Sequence, residues 1–320
     1  MTNSSRIAVA GNQWITEYLI QELATNGWSP SLIINNDPSE APKISGYSDL
    51  APLAREHGIG LYRPSAYSLR TDEDRAWLTA QQIDALFVFG WQRLIPDWLI
   101  EHTAHGAWGV HGGPEKPPRC RGRAVFNWAI LLGYDHFFLY LFRLTPEVDA
   151  GGIARLVEFE ITPNDDVLTL YHKNCVVSTR MMLDAMPEIL DGTVSLEAQS
   201  DAGATYLPKR TPEMGGIYWD WPAQRIADLV RAVAPPYPGA FTYLDDVELK
   251  ILRAHVFDDK IRYSSEPGTI VERFPNDDLL VMAADMPVYL RDYEFPDPAR
   301  LQRGARLKLH SGNQPPDPEI

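Results

Sequence analysis

Cysteine is nearly absent. The 320 residues hold two, Cys120 and Cys175, enough for one bridge at most, with no CxxC pair or Cys/His cluster around either. A disulfide-stapled secreted scaffold and a zinc finger are excluded, and both cysteines read as reduced thiols of a cytoplasmic protein. Long apolar runs are missing too. The longest stretches, such as 85–89 and 129–132, fall far short of the ~18 residues that a membrane-spanning helix needs, so no membrane partner is expected. The opening MTNSSRIAVAG has one basic residue and no extended apolar run after it, which does not read as a secretory signal. Positive charge is scarce: 29 Lys and Arg stand against 43 Asp and Glu, a formal −14, with no Lys/Arg run. Neither the part before Pro236 nor the part after it carries a basic excess. Binding to a phosphate backbone is driven by counterion release to clustered cations, so the balance argues against a nucleic-acid partner.

What is present is an ordinary globular composition, 45% hydrophobic and 22% charged, with length for roughly two domains at ~150 residues each. The first part alternates short apolar runs with helical spacing, the pattern of a mostly parallel, Rossmann-like α/β sheet wrapped by helices. Strands are expected at 6–10, 31–34, 85–89, 107–110, 136–142 and 153–161, and helices at 14–24, 49–56, 72–80, 125–132 and 167–190. The run 85–89 (ALFVF) is apolar throughout, as in a sheet covered on both faces. After Gly192, prolines punctuate a stretch that holds one helix, 221–233. From Ala240 to Lys308 short strands at close spacing predict a small all-β barrel or sandwich. The polar, proline-containing tail 311–320 is expected to be disordered.

The first turn, AVAGNQWI, has one glycine where a dinucleotide fingerprint wants three, so NAD binding is not expected. The informative segment is 107–153. It contains a strand ending in His111, a Gly/Pro/Arg loop over 112–123, a helix, a strand, and then Val148-Asp149-Ala150-Gly151-Gly152-Ile153. A histidine just beyond a strand's C-terminal end sits where open α/β sheets place ligands. Asp149, on a glycine loop after another strand, can reach the same edge, and a carboxylate beside an imidazole orients it for proton transfer. Without that convergence the two are a loop histidine and a turn aspartate. The remaining histidines (His102, His105, His136, His172, His255 and His310) lack ligand spacing, and no metal is expected.

Three ordered blocks make the chain similar to a known family. They are Gly109-Val110-His111 followed by EKPPRCRGRAVFNWAI and Asp149-Ala150-Gly151-Gly152-Ile153; TYLPKRTPEMGGIYW (205–219); and LVRAVAPPYPGAFTYL (229–244). The chain resembles the formyltransferases that use 10-formyltetrahydrofolate, including the sugar-nucleotide amine and methionyl-tRNA enzymes. The resemblance implies a catalytic domain at 1–192, a linker with one helix at 193–235 and a C-terminal, OB-like β-barrel at 236–310. It further implies His111 and Asp149 as catalytic residues: His111 in proton transfer and oxyanion stabilisation, Asp149 positioning and polarising it. The pterin of the formyl donor is expected against Phe89, Gly90, Trp91, Gln92, Leu94 and Ile95, and against Val148, Ala150 and Gly151. The amine substrate is expected near Gly112, Gly113 and Gly122 and the cations Arg119, Arg121 and Arg123, whose guanidinium groups suit a diphosphate or carboxylate. Lys209-Arg210 reads either as an anion contact or as a solvated linker pair, and Trp128 reads as core.

The departures bear on function. The family's triad is Asn, His and Asp, and the Asn position here is Gly109. The loop after His111 is longer than the usual pattern, and the linker positions near Met214 and Tyr218 lack their expected acids. Losing one oxyanion donor typically costs ~100- to 1000-fold in turnover, so a backbone N–H of Gly112 or Gly113 must substitute or the site is altered. The leading expectation is an N-formyltransferase acting on a nucleotide-linked amino sugar. The alternatives are a formyltransferase-like protein that binds folate or sugar nucleotide without turnover, and transfer to a natural-product amine such as hydroxyornithine. A homodimer through the barrel is left open.

Overall fold

The computed structural model describes residues 6–200, 202–257, 260 and 262–309, so the tail from 311 and His310 lie outside the described residues. Two compact units are present. The first takes in the chain up to Arg121 together with Phe138–Phe159 and His172–Thr205, and the second Gly122–Phe137, Glu160–Tyr171 and the chain from Tyr206 on.

Five strands of the first unit, β1 (Ile7–Ala10), β2 (Leu32–Ile34), β3 (Gly60–Tyr62), β4 (Ala85–Val88) and β5 (Ala107–Gly113), run parallel in the order β3-β2-β1-β4-β5. The two-residue strand β6 (Arg121–Gly122) stands apart from this sheet, whose far side is completed by β7 (His136–Arg143) and β8 (Ile153–Glu160). Helices α1 (Trp14–Thr25), α2 (Ala51–His57), α3 (Asp72–Thr79) and α4 (Asp97–His102) join the parallel strands. The apolar spacing of α1 places Ile15, Leu19, Ile20 and Leu23 on its buried face. Ala85, Leu86 and Phe87 are fully buried, the covered-sheet environment their apolar run predicts. Each large side chain so buried contributes about 1.5–3 kcal/mol. Leu86 joins Ala8, Ile34, Trp91, Ile95 and Leu99 in one core cluster that reaches the C-terminal edge of the sheet.

β5 is longer than its sequence suggests. The Gly112-Gly113 pair reads as the start of a loop, yet both residues stay in the ladder, opposite Leu139 and Phe138 of antiparallel β7. Glycine is required at 113 for a packing reason, since a Cβ there would lie 2.7 Å from the Cβ of Cys120.

The second unit contains α5 (Val125–Leu131), α7 (Ala223–Ala232) and, between them in the chain, the two-residue β9 (Tyr206–Leu207). The long helix α6 (Val167–Leu190) begins in this unit and continues in the first. The strands β10 (Ala240–Leu244), β11 (Val247–Val256), β12 (Ile270–Arg273), β13 (Leu279–Met282), β14 (Pro287–Glu294) and β15 (Leu307–Lys308) form an antiparallel sheet in the order β12-β13-β14-β11-β10-β15. The two ends of that order meet. Thr269 bridges Arg306, Ile270 N–H donates to the Ala305 carbonyl at 2.9 Å, and Leu307 N–H donates to that of Gly268 at 2.8 Å. The sheet is thus curled into a barrel, and Ile226, Leu229 and Val230 of α7 pack with Leu249, Ile251 and Leu290 in its core. Among the described residues no helix is long and apolar enough to cross a membrane.

Candidate active site

At the C-terminal edge of the parallel strands the first unit opens into a cavity of about 290 Å³. Its walls include Gln13 and Ile15 at the start of α1, the segment after β4, Gly109 and Val110 in the middle of β5, the β7–β8 loop and Asn174 of α6. Of the positions expected to hold the pterin, Phe89, Gly90, Trp91, Gln92, Leu94, Ile95 and Val148 line it. Ala150 and Gly151 lie outside the lining; a Cβ on Gly151 would come 1.7 Å from the Arg143 carbonyl oxygen, so this residue packs the loop down onto β7. The segment after β4 is held by polar contacts that the sequence does not advertise. Gln92 N–H donates to Tyr67 Oη at 2.9 Å, and the amides of Gln92 and Gln13 both donate to the Ser45 carbonyl, at 3.3 and 2.8 Å. Trp91, 9% exposed, has a buried Nε1 with no hydrogen-bond partner. A buried indole N–H ordinarily finds an acceptor, so this orphan donor in the cavity wall fits a ligand that brings acceptors.

The structure brings together the two residues that the sequence places 38 positions apart. His111 Nε2 lies 3.7 Å from Asp149 Oδ2, with the two side chains 14% and 22% exposed. That is an ion-pair separation rather than a hydrogen bond, and such contacts commonly tighten only when substrate is bound. Asp149 sits at φ 52°, in the left-handed region that aspartate tolerates better than most residues. Asp149 lines the cavity along with Gly109 and Val110, and His111 follows Val110 directly in β5.

Tyr140 is the residue that sequence reasoning missed. It stands opposite His111 in the β5–β7 ladder, and the two rings meet edge-to-face, 5.8 Å between centroids at 78°. Its hydroxyl is buried and without a hydrogen-bond partner, as is His111 Nε2. Burial, reinforced by the charge of Asp149, holds the phenol well above its ordinary pKa and so protonated. In the sequence it is one aromatic within HFFLYLFR, where a hydroxyl inside an apolar strand is the only signal.

The three arginines do not form one solvent-facing cluster. Arg119 is exposed and pairs with Glu115 at 2.6 Å, and Arg123 is exposed. Arg121 is only 2% exposed and donates to Gln199 Oε1 at 3.4 Å, while Gln199 Nε2 donates to the carbonyls of Asp149 and Gly151. Arg121 therefore backs the Asp149 loop and does not face solvent as a substrate contact would. Gly112 and Gly113 are buried in the ladder and Gly122 is half-buried in the second unit. Gly109 lies opposite Phe142, and a Cβ added to it would meet Leu144 Cδ2 at 2.9 Å and Phe142 Cε1 at 3.5 Å. Apolar side chains thus crowd the space next to the position where the family has its amide. In the second unit Arg210 is no solvated linker residue: it donates to the Met214 carbonyl at 2.7 Å and stacks over Trp128, and burial holds its pKa down at about 10. Trp128 is core, its Nε1 donating to the Pro208 carbonyl at 2.8 Å.

Comparison with known proteins agrees with this architecture. The family model described as formyl transferase matches residues 5–186, and that of the formyl transferase C-terminal domain matches 209–304. Among solved structures, the chain is similar to WlaRD, a sugar 3N-formyl transferase determined in the presence of dTDP and 5-N-formyl-THF. The TM-score is 0.66 at 17% identity, over 92% of this chain and 98% of that one. It is also similar to an N-formyltransferase from Helicobacter canadensis in complex with folinic acid and dTDP-3-aminofucose, with TM-score 0.66 and 16% identity over 91% of this chain and 100% of that one. HypX from Aquifex aeolicus, in complex with tetrahydrofolic acid, matches with TM-score 0.63 and 16% identity over 91% of this chain and 44% of that one. At these identities the likeness to the solved structures is one of fold.

Proposed function

Because the chain belongs to the formyl transferase family, we propose that it moves a formyl group from 10-formyltetrahydrofolate to the primary amine of a nucleotide-linked amino sugar. The observation that carries this reading is the His111–Asp149 pair, 3.7 Å apart beside the cavity at the sheet's C-terminal edge. The sugar-nucleotide class is supported by relatives of the same fold that were determined with dTDP or dTDP-3-aminofucose and match over nearly their whole length. It is also supported by the acidic balance, which disfavours a tRNA acceptor.

The walls fit the donor. Residues 90–95 and Val148 offer backbone polar groups, and the orphan Trp91 Nε1 offers a proton to an acceptor. The donor supplies a formyl carbon bonded to N10. The amine lone pair forms the new C–N bond while the carbonyl π pair moves to oxygen. Return of that pair re-forms C=O and breaks the bond to N10, which leaves with a proton. His111 takes the proton that the amine loses and delivers it to N10 as that nitrogen leaves, and Asp149 carries the opposite charge beside the transient imidazolium. The second reading, binding without turnover, rests on Gly109, which has no side chain to offer the oxyanion.

The test follows tetrahydrofolate release by absorbance with 10-formyltetrahydrofolate and a panel of dTDP-linked amino sugars. Turnover that His111→Ala and Asp149→Asn each reduce at least ~100-fold supports the reading. Binding of both ligands with no formylated product from any amine selects the second reading.

A further inference from the structure

We propose that the Tyr140 hydroxyl is the oxyanion donor of this site, in place of the side-chain amide that Gly109 cannot supply. The inference rests on the function proposed above and adds to it a residue chosen by this chain's own geometry. Directly opposed residues of an antiparallel ladder point to the same face of the sheet. His111 opposite Tyr140 and Gly109 opposite Phe142 therefore share one face, and along β5 the period of two puts positions 109 and 111 on that face together. An amide at 109 would stand one step along β5 from His111. Tyr140 stands one step across the sheet from it, with its ring edge-to-face against the imidazole.

The hydroxyl has the properties such a donor needs. It is buried and makes no hydrogen bond of its own, so nothing in the free protein competes for its proton. Nearby buried polar groups are normally paired, and an orphan is retained at a cost in stability. Here the orphan O–H and the orphan His111 Nε2 belong to two rings packed edge-to-face, His111 lies 3.7 Å from Asp149, and the charge of Asp149 bears on the phenol. The groups that bear electrostatically on the phenol are Asp149, Arg121 and Cys120, with the His111 ring packed against it. Their net effect, with burial, keeps the phenol protonated at any pH where the enzyme would work. In the step itself no bond to Tyr140 forms or breaks. Its O–H donates to the formyl oxygen while the carbonyl electron pair resides there, and the hydrogen bond weakens when C=O returns and the bond to N10 breaks.

The test uses the full chain with 10-formyltetrahydrofolate and dTDP-3-aminofucose. Tyr140→Phe deletes only the hydroxyl. The expected result is a ~100- to 1000-fold fall in kcat, with KM for both substrates within ~3-fold of the parent and a melting temperature unchanged or higher, since an unpaired buried group is removed. A kcat within ~3-fold of the parent overturns the inference while leaving the proposed function standing. A parent enzyme that transfers no formyl group to the amine and hydrolyses none overturns both. Should Tyr140→Phe fail to give a cooperative melt, 3-fluorotyrosine at position 140 replaces it. The fluorine acidifies the phenol and makes its O–H a stronger donor, so kcat must change by more than ~3-fold while both KM values hold. A kcat equal to that of the parent overturns the assignment.

Discussion

Gln199 holds Asp149 by the main chain: its side-chain Nε2 donates to the Asp149 carbonyl at 3.0 Å and, at 2.7 Å, to that of Gly151. The same amide accepts from the buried Arg121 through Oε1. A carboxylate held at φ 52° in a loop has few ways to keep its bearing toward an imidazole, and this clamp is one of them. Gln199→Leu keeps the size and removes the donors. It is expected to lower kcat by ~10- to 100-fold through misplacement of Asp149 and to cost about 1–2 kcal/mol in urea unfolding. An unchanged kcat would show that Asp149 is positioned without it.

Restoring the amide at position 109 is not a simple repair. A side chain there runs into Leu144 at 2.9 Å, so Gly109→Asn alone is expected to leave turnover unchanged or lower. Combined with Leu144→Ala, which clears the space, the Asn side chain can settle, and kcat is expected to exceed that of Gly109→Asn alone by ~10-fold. Steady-state kinetics of the two variants decides the matter, and equal rates would place the obstruction elsewhere.

Trp91 Nε1 is expected to gain its missing partner from the folate. Trp91→Phe keeps the ring against Tyr67, whose centroid lies 4.9 Å away, and removes the donor. The dissociation constant for 5-formyltetrahydrofolate, which carries the pterin but does not react, should rise ~5- to 20-fold by titration calorimetry. No change would mean that the indole N–H faces away from the ligand.

The buried thiols give a pH signature. Burial pushes Cys175 up to about 12 from an ordinary value of 9.0, so the folded state keeps its proton where the unfolded chain has lost it. The stabilisation is complete below the unfolded value and is lost as the pH climbs from there through the folded value. Thermal stability should accordingly decline across that window, and Cys175→Ser should flatten that decline. Cys120 and Cys175 are only 1% and 2% exposed, so native protein at pH 8 should resist thiol reagents until it is unfolded. Fast stoichiometric labelling of the native chain would refute the burial of both.

Much of this was legible in sequence because it depends on apolar patterning. The all-apolar run at β4 announced a doubly covered sheet, and β10–β14 announced a small barrel. His111 stands out because it ends a strand beside glycines, and Asp149 because it sits on a glycine loop after another strand. What stayed hidden depends on registers and long-range contacts. Tyr140 looks like strand filler until the ladder sets it opposite His111. Gln199 lies in a polar stretch that reads as linker, and only the folded loop shows its two acceptors. The Gly112-Gly113 pair reads as the start of a loop because glycine ordinarily breaks strands, but β7 supplies a partner and Cys120 leaves no room for a Cβ at 113.

The joining of Thr269–Ile270 to Ala305–Leu307 has a consequence for how the molecule behaves in a crowded solution. A flat β-sheet presents a terminal strand whose unpaired amides invite a stranger's backbone, the usual seed of fibrils and swapped assemblies. Here that template is consumed internally where the first and last strands touch. Association of two copies through this region would therefore have to proceed by side-chain docking on the barrel's outer wall rather than by continuing its ladder.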